Sequence, residues 1–166
     1  MNLGGTAKNY NRFHRGDWDS FKPDLKWILD ESKTCIIWGG NYFANSLPET
    51  NNWLCWHKKI TNMSFSEFEL AWTNLGKQCR IFSHHWSGEN KKHPTMKPLP
   101  VMVWCLELLP KGIDVFDPFA GSGSTLMACQ KTNRNGYGIE LDPKYVDVII
   151  DRLEKETGLE AQRLEL

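Results

Sequence analysis

The sequence predicts an α/β fold with a mostly parallel sheet and helices packed upon it. Three observations carry that prediction. The second half alternates short apolar runs with helical patterns: IDVFD (113–117), STLMACQKT (124–132), NGYGIEL (135–141) and PKYVDVIIDRLEKETG (143–158). Strand, helix and strand in such quick succession make a βαβ unit, which requires a parallel pair and a right-handed crossover. A glycine-rich stretch, DPFAGSGST (117–125), falls at the joint between the first strand and its helix. Small residues there let the backbone approach a ligand, and the helix directs its first N–H groups at it. Glu140 follows Gly121 by 19 positions, at the end of the next strand, where an acid can accept hydrogen bonds from ribose hydroxyls.

The remaining elements follow in order. Residues 1–20 are polar and read as a loop. Residues 21–32 predict a short helix with Leu25, Ile28 and Leu29 on one face. TCIIWGG (34–40) is a compact apolar run ending in two glycines and reads as a buried strand. NYFANSL then starts a short helix with Pro48 as its stop. NNWLCWHK (51–58), FELAWTN (68–74) and CRIFSHHW (79–86) read as three further strands, the last two joined by a tight turn at Leu75-Gly76-Lys77. HPTMKP (93–98) is a rigid turn, and LPVMVWCLELL (99–109) is an apolar helix stopped by Pro110 and Gly112. The tail AQRLEL (161–166) reads as an edge strand or a frayed end. No internal repeat or low-complexity tract interrupts the chain.

A chain of 166 residues suits one domain with a single sizeable core. It divides into an early half, 1–92, and a late half, 93–166. The net charge of zero argues against a dedicated nucleic-acid coat protein. Residues 1–92 carry 12 Lys/Arg against 9 Asp/Glu, and residues 93–166 carry 8 against 11, so an anionic partner slightly favours the first half. The five cysteines, at 35, 55, 79, 105 and 129, include no CxxC pair and fit buried, reduced thiols in the cytoplasm. The N-terminus has no signal-peptide core, and no apolar run approaches the ~20 residues of a membrane span. Eight tryptophans read first as core aromatics; one or two stacking on a planar ligand or base is the sharper alternative. His14 and His57 give no metal spacing, and no metal is expected.

The glycine turn is not a phosphate-binding P-loop, since no Gly-Lys-Ser/Thr follows it. It also departs from the dinucleotide fingerprint, because position 126 is leucine. Asp117 at the strand end would repel phosphates and attract a cation or an amine. HPTMKP followed by DPFAGSGST and then GIELDPKY resembles the DNA amino-methyltransferases, which use S-adenosylmethionine to methylate adenine N6 or cytosine N4. The order, with HxTxKP ahead of the glycine turn, resembles their circularly permuted beta class. GGNYFANSLP, WLCWHK and FELAWTN resemble its short phage-type members. In that class the catalytic half comes first and the cofactor half second, which would explain why the glycine turn stands so late.

The resemblance implies a Rossmann-like methyltransferase sheet and S-adenosylmethionine as cofactor. It would place Asp117, Phe119, Gly121, Gly123 and Thr125 around the methionine part, Glu140 on the ribose hydroxyls and Asp142 near the adenine. His93, Thr95 and Lys97 would help hold the amino-acid end. The implied partner is double-stranded DNA, in the cytoplasm of a bacterium or a phage-infected cell, within restriction-modification. Members of the class also carry an Asp-Pro-Pro-Tyr/Trp type motif, whose acceptors localise the amine lone pair and whose aromatic residue stacks on the flipped base. No such motif occurs here. The chain is expected to start just downstream of it, and the sheet to lack one central strand or close over its place. IDVFD and TCIIWG would then each keep an unpaired side, or pair together. Asp17 and Asp19 around Trp18, Asn41-Tyr42-Phe43, and His84, His85 and Trp86 are candidate substitutes or DNA contacts; a solvated loop, a helix cap with packing aromatics and an exposed strand end are the plainer readings. Only WSGENKK separates the last early strand from HPTMKP, so reading of the target site falls to short loops, an N-terminal segment or a second subunit of a homodimer. A non-catalytic descendant that binds cofactor, DNA or a partner chain is the alternative, and an NAD enzyme a third.

Overall fold

The computed structural model describes residues 22–62, 64–76, 78–86 and 96–165. In chain order these form α1 (Lys26–Glu31), β1 (Ile36–Trp38), a 3-10 turn (Gly40–Phe43), β2 (Trp53–His57), β3 (Phe68–Thr73), β4 (Arg80–Ser83), α2 (Leu99–Glu107), β5 (Val115–Asp117), α3 (Ser124–Lys131), β6 (Gly136–Gly138) and α4 (Pro143–Thr157). The expected elements are present, mostly shorter than their apolar runs, and residues 161–165 of the tail form no strand. The predicted loop at 1–20 lies outside the described residues.

The strands make two sheets, one in the order β1-β3-β2-β4 and one of β5 with β6. The expected mostly parallel sheet is not what forms. β3 runs antiparallel to both β1 and β2, while β2–β4 and β5–β6 are parallel. Nor do β3 and β4 pair across a tight turn. β4 crosses beyond β3 to the far side of β2, with Leu54 opposite Arg80 and His57 opposite Ser83. The turn residues follow Asn52 instead: its amide, oriented to satisfy both groups, donates to the Gln78 carbonyl (2.7 Å) and accepts from the Gly76 N–H (2.6 Å). The βαβ unit of β5, α3 and β6 forms as the sequence predicts, in register Val115 to Gly136.

Helices relate the two sheets. On one face α1 places Ile28 and Leu29 against Leu25, Cys35 and Trp72, and its Trp27 meets Phe116 of β5 edge-on at 6.4 Å. On the other face α2 packs Cys105 against Leu54 and Ala71. Its Met102 and Leu106 join Ala128 and Cys129 of α3, with Trp38 of β1 and Val115 of β5 at the margin. Each large apolar side chain buried this way contributes about 1.5–3 kcal/mol. β1 and β5 thus lie under the same helices, yet they belong to different sheets. Among the described residues each keeps one unpaired edge, which is the first of the two arrangements the sequence predicts.

Trp56 and Trp72 are core residues, 1% and 3% exposed, and their indole N–H groups donate to His84 and Pro48 carbonyls. Trp104 stacks on Phe82. The five cysteines are free, and three of them, Cys35, Cys105 and Cys129, are buried; burial pushes the Cys105 thiol up to about 12. No described helix is long and apolar enough to cross a membrane.

The double glycine after β1 has a steric cause. A Cβ on Gly40 would lie 2.6 Å from Trp72 Cβ and 2.9 Å from the Trp72 backbone nitrogen, so only glycine lets the chain leave β1 against β3. Gly40→Ala is therefore expected to destabilise the fold by roughly 1–3 kcal/mol, read as a lower midpoint in chemical denaturation.

Candidate functional site

The site is built where β5 and β6 end. Ile139 donates its N–H to the Asp117 carbonyl at 3.0 Å, and Ala120 donates to the Ile139 carbonyl at 2.9 Å. The parallel ladder thus continues into the glycine turn and carries both strand ends, with their acids, to one edge. Asp117 accepts the Phe119 N–H on one oxygen (3.0 Å) and the Thr125 hydroxyl on the other. Glu140 accepts the Gly121 N–H at 2.7 Å on Oε2 and the Asp142 N–H at 2.9 Å on Oε1. Gly121 and Gly123 have φ of +54° and +78°, a left-handed conformation that favours glycine. A Cβ on Gly123 would also meet Ile149 Cγ1 at 2.9 Å.

Counting the turn's N–H groups narrows its ligand. Phe119, Ala120, Gly121 and Gly123 all donate within the protein: to Asp117, the Ile139 carbonyl, Glu140 and the Ala120 carbonyl. A phosphate cradle needs such groups free. What the site offers instead is acceptors. A carboxylate has about four lone-pair positions, so Asp117 and Glu140 each keep capacity for an ammonium or a ribose hydroxyl. These residues fit a cofactor with an amine and a ribose better than one bound through a pyrophosphate. Beside the acids, Phe119 is 56% exposed and Leu141 is 91% exposed, leaving open apolar surface for a flat ring. Burial, followed by the Asp142 and Glu140 charges, pushes the Tyr145 phenol above its usual value, so it keeps its proton.

Of the ten residues the sequence nominates, seven meet in this region: Asp117, Phe119, Gly121, Gly123, Thr125, Glu140 and Asp142. Asp142 also serves as a helix cap, its carboxylate accepting the Lys144 N–H at 2.9 Å at the start of α4. The Lys97 backbone reaches the turn, since the Ser124 hydroxyl donates to its carbonyl at 3.0 Å. Its ammonium points elsewhere, to Glu69 of β3. His93 and Thr95 lie outside the described residues, as do Asp17, Trp18 and Asp19. Phe43 packs in the core beside Leu25 and Trp72, while Tyr42 is exposed. His84, just beyond β4 and half-buried, stacks on Phe82, and its backbone N–H donates to the His57 carbonyl. No cluster able to hold a metal occurs among the described residues.

Sequence reasoning missed three supports. Arg152 of α4 donates to the Ser122 carbonyl within the turn. Buried Ser124 ties the turn to Lys97. Glu69 takes the Lys97 ammonium. Only Ser124, which stands in the quoted glycine stretch, carried a local signal.

A parallel strand pair, a glycine turn bonded to both strand ends and two strand-end acids together define the late part of an α/β domain. The chain belongs to the N6/N4 DNA methylase family, whose model, described as DNA methylase, matches residues 45–151. It is 39% identical over 134 residues to the Type II methyltransferase M.HindIII of Haemophilus influenzae, covering 80% of this chain and 40% of that protein. It is 32% identical over 104 residues to the Type II methyltransferase M.HpaI of Haemophilus parainfluenzae, covering 61% and 31%. The chain therefore spans less than half the length of these two relatives. Among solved structures it resembles the M1.HpyAVI–SAM complex, with a TM-score of 0.59, 25% identity, and coverage of 80% of this chain and 85% of that one.

Because Asp142 caps α4, Asp142→Ala is expected to cost roughly 0.5–2 kcal/mol of stability without any ligand present. Thermal melting of the ligand-free protein checks this; an unchanged midpoint would leave the cap without energetic weight.

Proposed function

We propose that this chain is the cofactor-binding and strand-end portion of a DNA amino-methyltransferase. On this reading it binds S-adenosylmethionine and moves the methyl group to an exocyclic amine of double-stranded DNA, adenine N6 in preference to cytosine N4. The observation that carries the reading is the pair of acids on adjacent parallel strands, with Glu140 bonded to the Gly121 N–H at 2.7 Å. Family membership and the likeness to the M1.HpyAVI–SAM complex support it. The order of motifs supports the circularly permuted beta class, and the phage-type resemblance of the early half supports a short member acting in the cytoplasm.

The bound sulfonium supplies an electrophilic methyl group. On this reading transfer to the base amine would be direct, with no covalent link to the protein. Asp117 and Glu140 act by binding: one presents acceptors to the amino-acid ammonium, the other to the ribose hydroxyls. Phe119 and Leu141, both exposed, would offer apolar surface to the cofactor. Acceptors for the base amine, which would raise its nucleophilicity, do not appear among the residues gathered here. The unpaired edges of β1 and β5 are where an additional strand bearing them would fit. We place that strand in polypeptide beyond the described residues, from an N-terminal segment or from a second subunit of a homodimer.

Asp117→Ala and Glu140→Ala are each expected to weaken S-adenosylmethionine binding by roughly 1–3 kcal/mol, measured by titration calorimetry. Unchanged affinity in both would mean the pocket is misassigned. Radiolabelled methyl transfer to DNA of mixed sequence tests the activity itself.

A further inference from the structure

Lys58, Glu69 and Lys97 form an ionic centre between the four-stranded sheet and the segment that enters α2. Glu69 of β3 binds Lys58 with Oε1 and Lys97 with Oε2, both at 3.0 Å. The lysine side chains are 7% and 18% exposed. Lys58 Nζ also lies 5.6 Å from the Trp56 ring centre and 5.3 Å from that of Phe65, and Lys97 Nζ lies 5.7 Å from that of Trp38. Burial alone would push the Glu69 carboxyl up. The charge and hydrogen bonds of Lys97 and Lys58 outweigh it and hold the group below the usual carboxylate range, so Glu69 is ionised at neutral pH.

The centre has an outlet toward the glycine turn. The Lys97 carbonyl accepts the Ser124 hydroxyl at 3.0 Å, and Ser124 is the first residue of α3, directly after Gly123. A chain of polar contacts therefore runs from β2 and β3 through Lys97 to the turn, joining sheets that share no strand ladder. A surface ion pair would contribute little. This one is largely desolvated and engages both oxygens of one carboxylate, a geometry that fixes position as well as charge.

We propose that Glu69 is a positioning residue for the cofactor cleft: by clasping Lys58 and Lys97 it locks the segment before α2 onto the four-stranded sheet and, through Ser124, holds the glycine turn in place. The inference rests on the turn being the S-adenosylmethionine site. Glu69 touches no cofactor atom; its effect passes through Lys97.

The test is a double-mutant cycle read as S-adenosylmethionine affinity by calorimetry, with melting temperatures recorded alongside. Glu69→Gln is expected to weaken binding roughly three- to thirtyfold. Lys97→Met, which leaves Lys58 and Glu69 paired, should weaken it too, and the double variant should bind no worse than the weaker single one. A merely structural loss would lower the melting temperature, and its effect on affinity would add to that of Lys97→Met. Should Glu69→Gln fail to fold, Glu69→Asp, which keeps the charge but falls one methylene short, takes its place in the cycle. Full affinity in the Glu69 variant, or simple additivity, overturns the proposal. Glu140→Ala separates the two layers: if it loses affinity while the Glu69 variant keeps it, the positioning role fails and the pocket stands. If wild type and Glu140→Ala bind alike, or neither binds, the pocket reading fails and this inference with it.

Discussion

The relation between the two sheets depends on α2. β5 and β6 make no hydrogen bond with the other four strands, so their placement is set by side-chain packing. α2 touches both: Cys105 faces Leu54 and Ala71, while Met102 and Leu106 face α3, with Trp38 and Val115 alongside. Packing of this kind is dense and intolerant of volume change, but it is less directional than a backbone ladder. Directionality comes from polar links at its ends. Lys97, just before α2, carries two of them, and Arg134 beyond α3 supplies more by donating to the Leu106, Leu109 and Pro110 carbonyls at the helix C-terminus. Those carbonyls lie at or beyond the end of α2, where the helical ladder runs out; Leu106 also accepts the Leu109 N–H at 3.1 Å, and the guanidinium ties the chain after α3 to that end.

The glycine turn shows the same division of labour at smaller scale. Its shape is set from inside, by Asp117, Glu140 and its own carbonyls, and from outside, by Ile149 and Arg152 of α4. Four of its N–H groups, those of Phe119, Ala120, Gly121 and Gly123, are used within the protein, which preorganises the turn. The two carboxylates beside it would repel a phosphate-bearing ligand. The departure from the dinucleotide fingerprint at Leu126 is consistent with this: that side chain packs within 3.1 Å of the position a Cβ would take on Gly136 and Gly138. It serves the helix–strand contact on the side away from the turn.

What the sequence made legible was local. IDVFD, the glycine turn, α3, β6 and Glu140 lie within thirty residues, and their order alone implies a parallel pair with acids at its end. The early half was harder. Its strands were found, but β4 was paired with the wrong neighbour, because a short glycine-containing connection looks like a hairpin whether or not the chain skips a strand. The connection is held instead by Asn52, a buried amide 24 and 26 positions from its partners Gly76 and Gln78. The Lys58–Glu69–Lys97 centre was equally invisible: its members are separated by 11 and 28 positions, and nothing in the pattern of a strand reveals which of its charges is buried.

On the proposed reading, the open edges of β1 and β5 are where an added strand and its substrate would arrive. In open α/β sheets ligands gather at the carboxyl ends of strands, where neighbouring connections diverge to opposite faces. β1 ends at Gly39-Gly40, where the chain turns against Trp72, and β5 ends at Asp117. An unpaired backbone edge beside buried side chains is costly. On the proposed reading, a strand added at these edges would supply the backbone partners they lack. The same backbone hydrogen bonds that relieve the edges would then set the base-binding acceptors beside the methyl donor, so completing the sheet and completing the active site would be one event.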